Sequence, residues 1–298
     1  MTTQKTLTPQ AWAELTLLGV IWGASFLSIR IALDTVPFMT SVLHRVFWAT
    51  LVLWAYIFVR RLPVPKDPRI CAAFLVMGLL NNVLPFSLMA WGQLYVETGL
   101  TSILNAATAV FGVLLAALFF QDERLSKMRF LGIGLGFLGV AIAIGLGNFT
   151  SLNPSNLGQL AILSGTLCYA FAAVWARLYL GALPPQIAAA GMLTASTVLM
   201  LPLAVTVDGV PDLNLPWKTW TAIGYYSVIA TAGAYLLYYR VLALAGSGNL
   251  MLVTLIIPPV AILLGSVIRD ESLPPNAFAG FAVLAVGLLI LNRASRQD

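Results

Sequence analysis

A polar or ionisable side chain within a long apolar run is costly to hold away from water, so each one found there is a candidate for function. This sequence offers few: His44 and Arg45 in one run, Asn82 in the next, and Asn105 and Thr108 in a fourth. Aromatic residues at comparable depth are Trp22, Phe86, Tyr169 and Tyr235, and Pro258-Pro259 interrupts a further run. Amides, hydroxyls, phenols and indoles bind and orient; they do not by themselves make and break bonds. His44 is the only histidine, which excludes a histidine cluster for zinc. Cys71 and Cys168 have no metal or disulfide spacing. No nucleophile–base constellation and no phosphate-binding Walker motif stands in the chain. The expectation is therefore a binding protein with no catalytic residue, no metal ligand and no cofactor.

Each candidate has a plainer reading beside the functional one. His44 could line a pathway or carry a proton, or it could be a polar residue packed on Arg45 or a backbone carbonyl. Arg45 could attract a carboxylate, but snorkelling to the outer interface is the reading favoured here. Glu14 opens a helix, where an acid complements the dipole, rather than coupling protons. Trp22 and Tyr169 stand 147 positions apart. They could sandwich a flat apolar side chain or simply pack the core. Asn82 binds substrate polar groups or joins helices. Phe86, Asn105 and Thr108 follow on the third and fourth runs. Tyr235 and Tyr239 share a helical face, Tyr235 being nearer mid-depth, with Tyr238 or Tyr239 an interface residue. Pro258 frees backbone carbonyls that must line a cavity or find partners.

The elements that position these groups follow from composition. Hydrophobic residues make up 60% of the chain and charged ones 9%, against about 25% charged in soluble domains. Mean hydropathy is +0.92. No soluble core hides that much apolar surface, so the solvent is lipid. Runs of about 20 apolar residues, the length that crosses the hydrocarbon, fall at roughly 13–34, 38–60, 69–95, 99–121, 128–147, 157–181, 185–207, 217–242, 248–269 and 275–293. The first is too long for a cleavable signal and has no small-residue cleavage pattern after it. The net charge of +5 is not a nucleic-acid footprint, because the basic residues lie in short clusters between the runs. With the N-terminus inside, Lys5, Arg60, Arg61, Lys66, Arg69, Arg124, Lys127, Arg129, Arg177, Arg240, Arg293 and Arg296 are internal, twelve of the 16 basic residues. Both termini are then cytoplasmic.

The two halves resemble each other. Asp122-Glu123-Arg124-Leu125 follows the fourth run and Asp270-Glu271-Ser272-Leu273 the ninth, 148 positions later. At that offset Phe130, Gly132 and Gly139 match Phe278, Gly280 and Gly287, and at 147 Arg30 and Pro37 match Arg177 and Pro184. Residues 1–150 and 151–298 are thus read as two repeats of five helices each. Five is odd, so the second copy enters the membrane upside down. Inverted repeats of this kind belong to alternating-access transporters, with a substrate site near the midplane. The chain is read as an all-α integral membrane protein with a small-molecule substrate, embedded in a lipid bilayer, with no nucleic-acid partner and a monomeric state.

Gly19-Val20-Ile21-Trp22-Gly23-Ala24-Ser25-Phe26, His44-Arg45, the two Asp-Glu-x-Leu tails, Pro258-Pro259 and the glycines of the fifth and tenth helices together resemble the drug/metabolite transporter superfamily, in particular its ten-helix EamA-type exporters. The resemblance covers nearly the whole chain and is nearest to the bacterial aromatic amino acid exporter branch. It implies an inner-membrane carrier that moves amino acids outward. One departure is Val110, where the family often has a proline matching Pro258, so a symmetric pair of kinks is not expected. Gly134-Leu135-Gly136-Phe137-Leu138-Gly139 imitates a dinucleotide fingerprint, but no strand precedes it; it and Gly19-xxx-Gly23 are read as close helix packing. Asn148-Phe149-Thr150 matches a glycosylation acceptor by chance. A nucleotide-sugar carrier of the same superfamily is the alternative, disfavoured because no cation is expected at mid-depth. A polytopic membrane enzyme would need clustered acids or histidines, and none is seen.

Overall fold

The computed structural model describes residues 7–123, 125–145 and 153–294; Lys5, Arg124, Arg296 and the Asn148-Phe149-Thr150 triplet lie outside the described residues. Among the described residues ten helices are long and apolar enough to cross a membrane: α1 (Pro9–Ala32), α2 (Phe38–Arg60), α3 (Pro68–Gly92), α4 (Thr98–Phe119), α5 (Lys127–Ile144), α6 (Pro154–Tyr179), α7 (Pro185–Val207), α8 (Trp217–Gly246), α9 (Gly248–Arg269) and α10 (Pro275–Ala294). Local chemistry sets their starts. Thr8, Asp67 and Asn153 cap α1, α3 and α6 by accepting from a backbone N–H of the first turn, each followed by a proline with no N–H to lose. The surface is apolar, with Phe58 and Val59 at 85% and 76% exposure, as lipid-facing positions are.

The repeats are visible in the packing. Thr50 of α2 and Thr197 of α7, equivalent positions 147 apart, touch each other through their hydroxyls at 3.1 Å. Only a residue on a pseudo-two-fold axis meets its own counterpart. The axis also passes between α5 and α10. A Cβ on Gly132 would meet the Gly287 carbonyl at 3.0 Å, and one on Gly280 would meet the Gly139 carbonyl at 2.5 Å. Because Gly132 corresponds to Gly280 and Gly139 to Gly287, these are the same contact made twice, as in an isologous dimer. Close packing is thus the role of Gly132, Gly136 and Gly139, whereas Gly134 faces outward with nothing near it. Gly19 and Gly23 likewise let α1 approach Ile256, Ile257 and Val260 of α9.

The halves interleave. α1 packs on α8 and α9, and α6 packs on α3 and α4, the same arrangement related by the axis. An indole N–H crosses each of two related seams: Trp22 to the Ala230 carbonyl and Trp175 to the Ala73 carbonyl, both at 3.1 Å. Two features were not expected. First, α3 and α8 each widen into π-helix, at Leu79–Val83 and Tyr225–Gly233, which overlap at the repeat offset. Second, α4 breaks at Ala106 although it lacks the proline, and α9 breaks at Met251–Leu252, ahead of Pro258. The interruptions thus fall at nearly the same place in the two repeats, 145–146 positions apart, and the one in α4 holds no proline.

Ion pairs lie at the two ends of the bundle. At the end where α1 begins and α10 finishes, Arg177 contacts Asp122 and Glu123, Arg129 contacts Glu123, and Arg240 contacts Glu14. At the opposite end Asp34 joins Arg30 and Arg269, and Glu271 caps α4 through the Thr98 N–H and hydroxyl.

Candidate functional site

Between these ends, near the middle of α2, α3, α6, α7 and α8, polar groups converge where the repeats meet. The π-helical turn of α3 brings two successive amides, Asn81 and Asn82, to the same partner. Asn81 donates to the Tyr235 hydroxyl at 3.1 Å, and that hydroxyl donates to the Asn82 carbonyl at 3.2 Å. The Asn82 amide donates to Ser196 at 2.9 Å, and Ser196 passes its own proton to the Met192 carbonyl at 2.7 Å. Asn82 and Ser196 are fully buried, so the chain of donors satisfies groups that would otherwise be orphaned.

Arg45 points into this region, which corrects the expectation that it snorkels to the outer interface. Its Nε donates to Thr231 at 3.0 Å, and its guanidinium lies 3.7 Å from the centre of the Phe86 ring. Thr231 is held by the π-helical turn of α8, donating to the Tyr226 carbonyl five residues back at 2.7 Å. Tyr169 stands edge-on to Phe86 at 6.4 Å and is, with Tyr235 and Tyr226, an electrostatic neighbour of Arg45. The middle of the bundle therefore holds a cation where none was expected.

Of the candidates, Asn82, Phe86, Tyr169 and Tyr235 come together around Arg45. The others do not. Trp22 lies on the α1–α8 seam with its ring 5.8 Å from Tyr238, while Tyr169 faces Phe86, so each of these repeat-related aromatics has a different ring partner. His44 is buried on the α2–α8 seam, accepting from Trp48 at 3.3 Å, with its Nε2 unpartnered. Asn105 and Thr108 flank the break in α4, and the Thr108 hydroxyl is buried without a partner. Pro258 is buried beside the α1–α9 contact. Asn81, Ser196 and Thr231 had no sequence signal beyond polarity; the two π-helical segments that present Asn81 and Thr231 are invisible in composition. A separate hollow of about 240 Å³ beside Gly99 and Phe278 lies at the end where α4 and α10 begin, and its acid, Glu271, is spent on capping α4. Chemistry, not that hollow, marks the centre.

The profile of the EamA-like transporter family matches residues 11–145 and again residues 156–293. The chain belongs to the EamA-like transporter family. It is 28% identical over 293 residues to a "Probable terminal-alkyne amino-acid exporter" of Streptantibioticus cattleyicolor, covering 96% of this chain and 94% of that one. It is 27% identical over 280 residues to "Uncharacterized inner membrane transporter YedA" of Escherichia coli K12, covering 92% and 88%. To "Uncharacterized transporter YoaV" of Bacillus subtilis it is 18% identical over 271 residues, covering 91% and 92%. A crystal structure of another protein shares the fold, with TM-score 0.69 at 17% identity, over 95% of this chain and 96% of that one. This EamA-family protein is a multi-pass membrane transporter, and the three relatives above are named as transporters or an exporter.

Proposed function

We propose that this transporter is a secondary carrier exporting amino acids, aromatic ones included, across a bacterial plasma membrane. The observation that carries the reading is the mid-depth cluster of amides, phenols and one guanidinium at the repeat interface, which sets aromatic faces beside hydrogen-bonding groups as an amino acid with a ring requires. The amino-acid exporter among its relatives supports the same substrate class. In this reading both termini are cytoplasmic, since the basic clusters at Arg60, Arg61 and Arg293 share their end of the bundle. Residues 1–150 and 151–298 are the two repeats, the protein acts as a monomer, and rocking about the pseudo-axis exposes this cluster to each side in turn. Asn82, Phe86, Tyr169 and Tyr235 contact substrate; Asn105 and Thr108 flank the break in α4, and Pro258 follows the one in α9; Trp22 and His44 support the α8 seams. A nucleotide sugar carries several negative charges and would want several central cations, whereas only Arg45 is there.

The test is flux from liposomes holding the purified protein, loaded separately with labelled phenylalanine, tryptophan, threonine and a nucleotide sugar. Saturable release of the amino acids alone is the expected result. Release of the nucleotide sugar alone overturns the substrate class.

A further inference from the structure

Arg45 is the one charged side chain placed among the mid-depth polar groups described above. The acids of the described ion pairs, Glu14, Asp34, Asp122, Glu123 and Glu271, all belong to the two ends of the bundle. Its phenolic neighbours do not neutralise it. The hydroxyls of Tyr226 and Tyr235 are engaged with Ser41 and with Asn81 and Asn82, and that of Tyr169 faces the Met89 sulfur at 3.9 Å. Thr231 takes the Nε proton and Phe86 covers one face, so the side chain is fixed. Among the described residues neither terminal nitrogen has a hydrogen-bond partner, and neither is among the sealed atoms that lack one. Neither is therefore sealed off, in keeping with a side chain that is only half-buried. A guanidinium held by Nε and one face presents its remaining donors as a planar fork, the shape that takes both oxygens of a carboxylate. A fixed cation without a counter-charge inside a bilayer is costly, and an arriving anion relieves that cost.

We propose that Arg45 is the anion subsite of the transported solute, binding one carboxylate through its terminal nitrogens while Phe86, Tyr169 and Tyr235 receive the apolar side chain. The proposal rests on the transport reading and narrows it: the substrate is a monocarboxylate, uncharged analogues are poor substrates, and a diphosphate has one cation too few. Because a bound carboxylate pairs with the guanidinium and the empty site leaves it unpaired, the loaded carrier reorients faster than the empty one. Thr231 is a positioning residue in this scheme.

The experiment compares efflux of phenylalanine, phenylalanine amide and 3-phenylpropionate from proteoliposomes, with protein-free vesicles subtracted. The native protein should move phenylalanine at least about tenfold faster than its amide, a 1.4 kcal/mol preference. External phenylalanine should accelerate phenylalanine efflux. Arg45→Gln should bring phenylalanine down to the rate of the amide and abolish the acceleration. Arg45→Lys should fall between, because an ammonium lacks the fork. Equal rates for acid and amide in the native protein overturn the proposal, and that comparison needs no variant to fold. A correctly assembled Arg45→Gln protein that keeps the preference overturns it too, as does a rate that follows chloride without distinguishing acid from amide. If amino acids move without dependence on Arg45, the subsite is wrong and the exporter reading stands. If 3-phenylpropionate moves in an Arg45-dependent way and no amino acid does, the subsite stands and the amino-acid reading is wrong.

Discussion

The α5–α10 seam makes the sharpest demand on sequence, and Gly280→Ala tests it. The added Cβ would sit 2.5 Å from the Gly139 carbonyl oxygen and close to the Ala143 backbone, whereas ordinary contact begins at 3.4 Å. Its neighbours are main-chain atoms of a helix, which cannot rotate away. The helices must part by roughly 1 Å, and a gap of that size forfeits a quarter to a half of each dispersion contact it opens. Overpacking of this kind costs about 1–3 kcal/mol. Rigid neighbours place it at the upper end, and the helix preference for alanine over glycine, about 1 kcal/mol, offsets part. The net expectation is a loss of about 2 kcal/mol. Gly134→Ala is the control on the same helix. Nothing lies within 4 Å of its Cβ, so only the helix preference remains and the change is neutral or stabilising. Reversible unfolding in mixed micelles should separate the two variants by roughly 3 kcal/mol. If Gly280→Ala were as stable as the native chain, or Gly134→Ala lost as much, the account of the seam would be refuted.

Three further outcomes follow from the hydrogen bonds and ion pairs. Asn82→Ala strands buried partners in the Tyr235–Ser196 network and should lower stability by about 1–3 kcal/mol while slowing phenylalanine efflux, read by unfolding and flux on the same preparation. Thr50→Val and Thr197→Val should couple by less than about 1 kcal/mol in a double-mutant cycle, because each hydroxyl also bonds its own helix, to Val46 at 2.7 Å and to Leu193 at 2.9 Å, and two protons cannot serve three bonds. Burial pushes the Asp34 carboxyl up, but its hydrogen bond with Arg269 and the charges of Arg269, Arg30 and Lys218 outweigh that and hold it below its ordinary value. Its contribution is thus present above the unfolded value of about 3.9 and is lost as pH falls through the lower folded one. The stability gap between native protein and Arg269→Ala should be small, flat from about pH 5 to 8, and closed only in stronger acid. A gap that vanished near neutrality would mean another group controls that end.

Much of the fold was legible because lipid simplifies the code: a span is a run of about 20 apolar residues bounded by polar or charged ones. The repeat could be read because Gly132, Gly139, Gly280 and Gly287 are fixed by backbone contact across the axis, so no other residue type fits their places. The site was only half legible. Asn82, Phe86, Tyr169 and Tyr235 stood out as polar or aromatic groups at mid-depth. Arg45 was misplaced because a long side chain near the outer half of a helix has two directions open to it, and only the neighbours Thr231 and Phe86 decide between them. Asn81 and Thr231 were missed because a π-helical turn re-aims side chains without changing composition. The break at Ala106 shows the same lesson from the other side, since the absent proline suggested a straight helix.

The most direct test of the account is the accessibility of its centre from each side. Asn81→Cys, with Cys71 and Cys168 replaced by serine, is exposed to a membrane-impermeant thiol reagent added to one face of oriented vesicles and then to the other. The account predicts modification from both faces, slowed by phenylalanine in each case. Modification from one face only, under every condition, would contradict an alternately exposed site at the repeat interface.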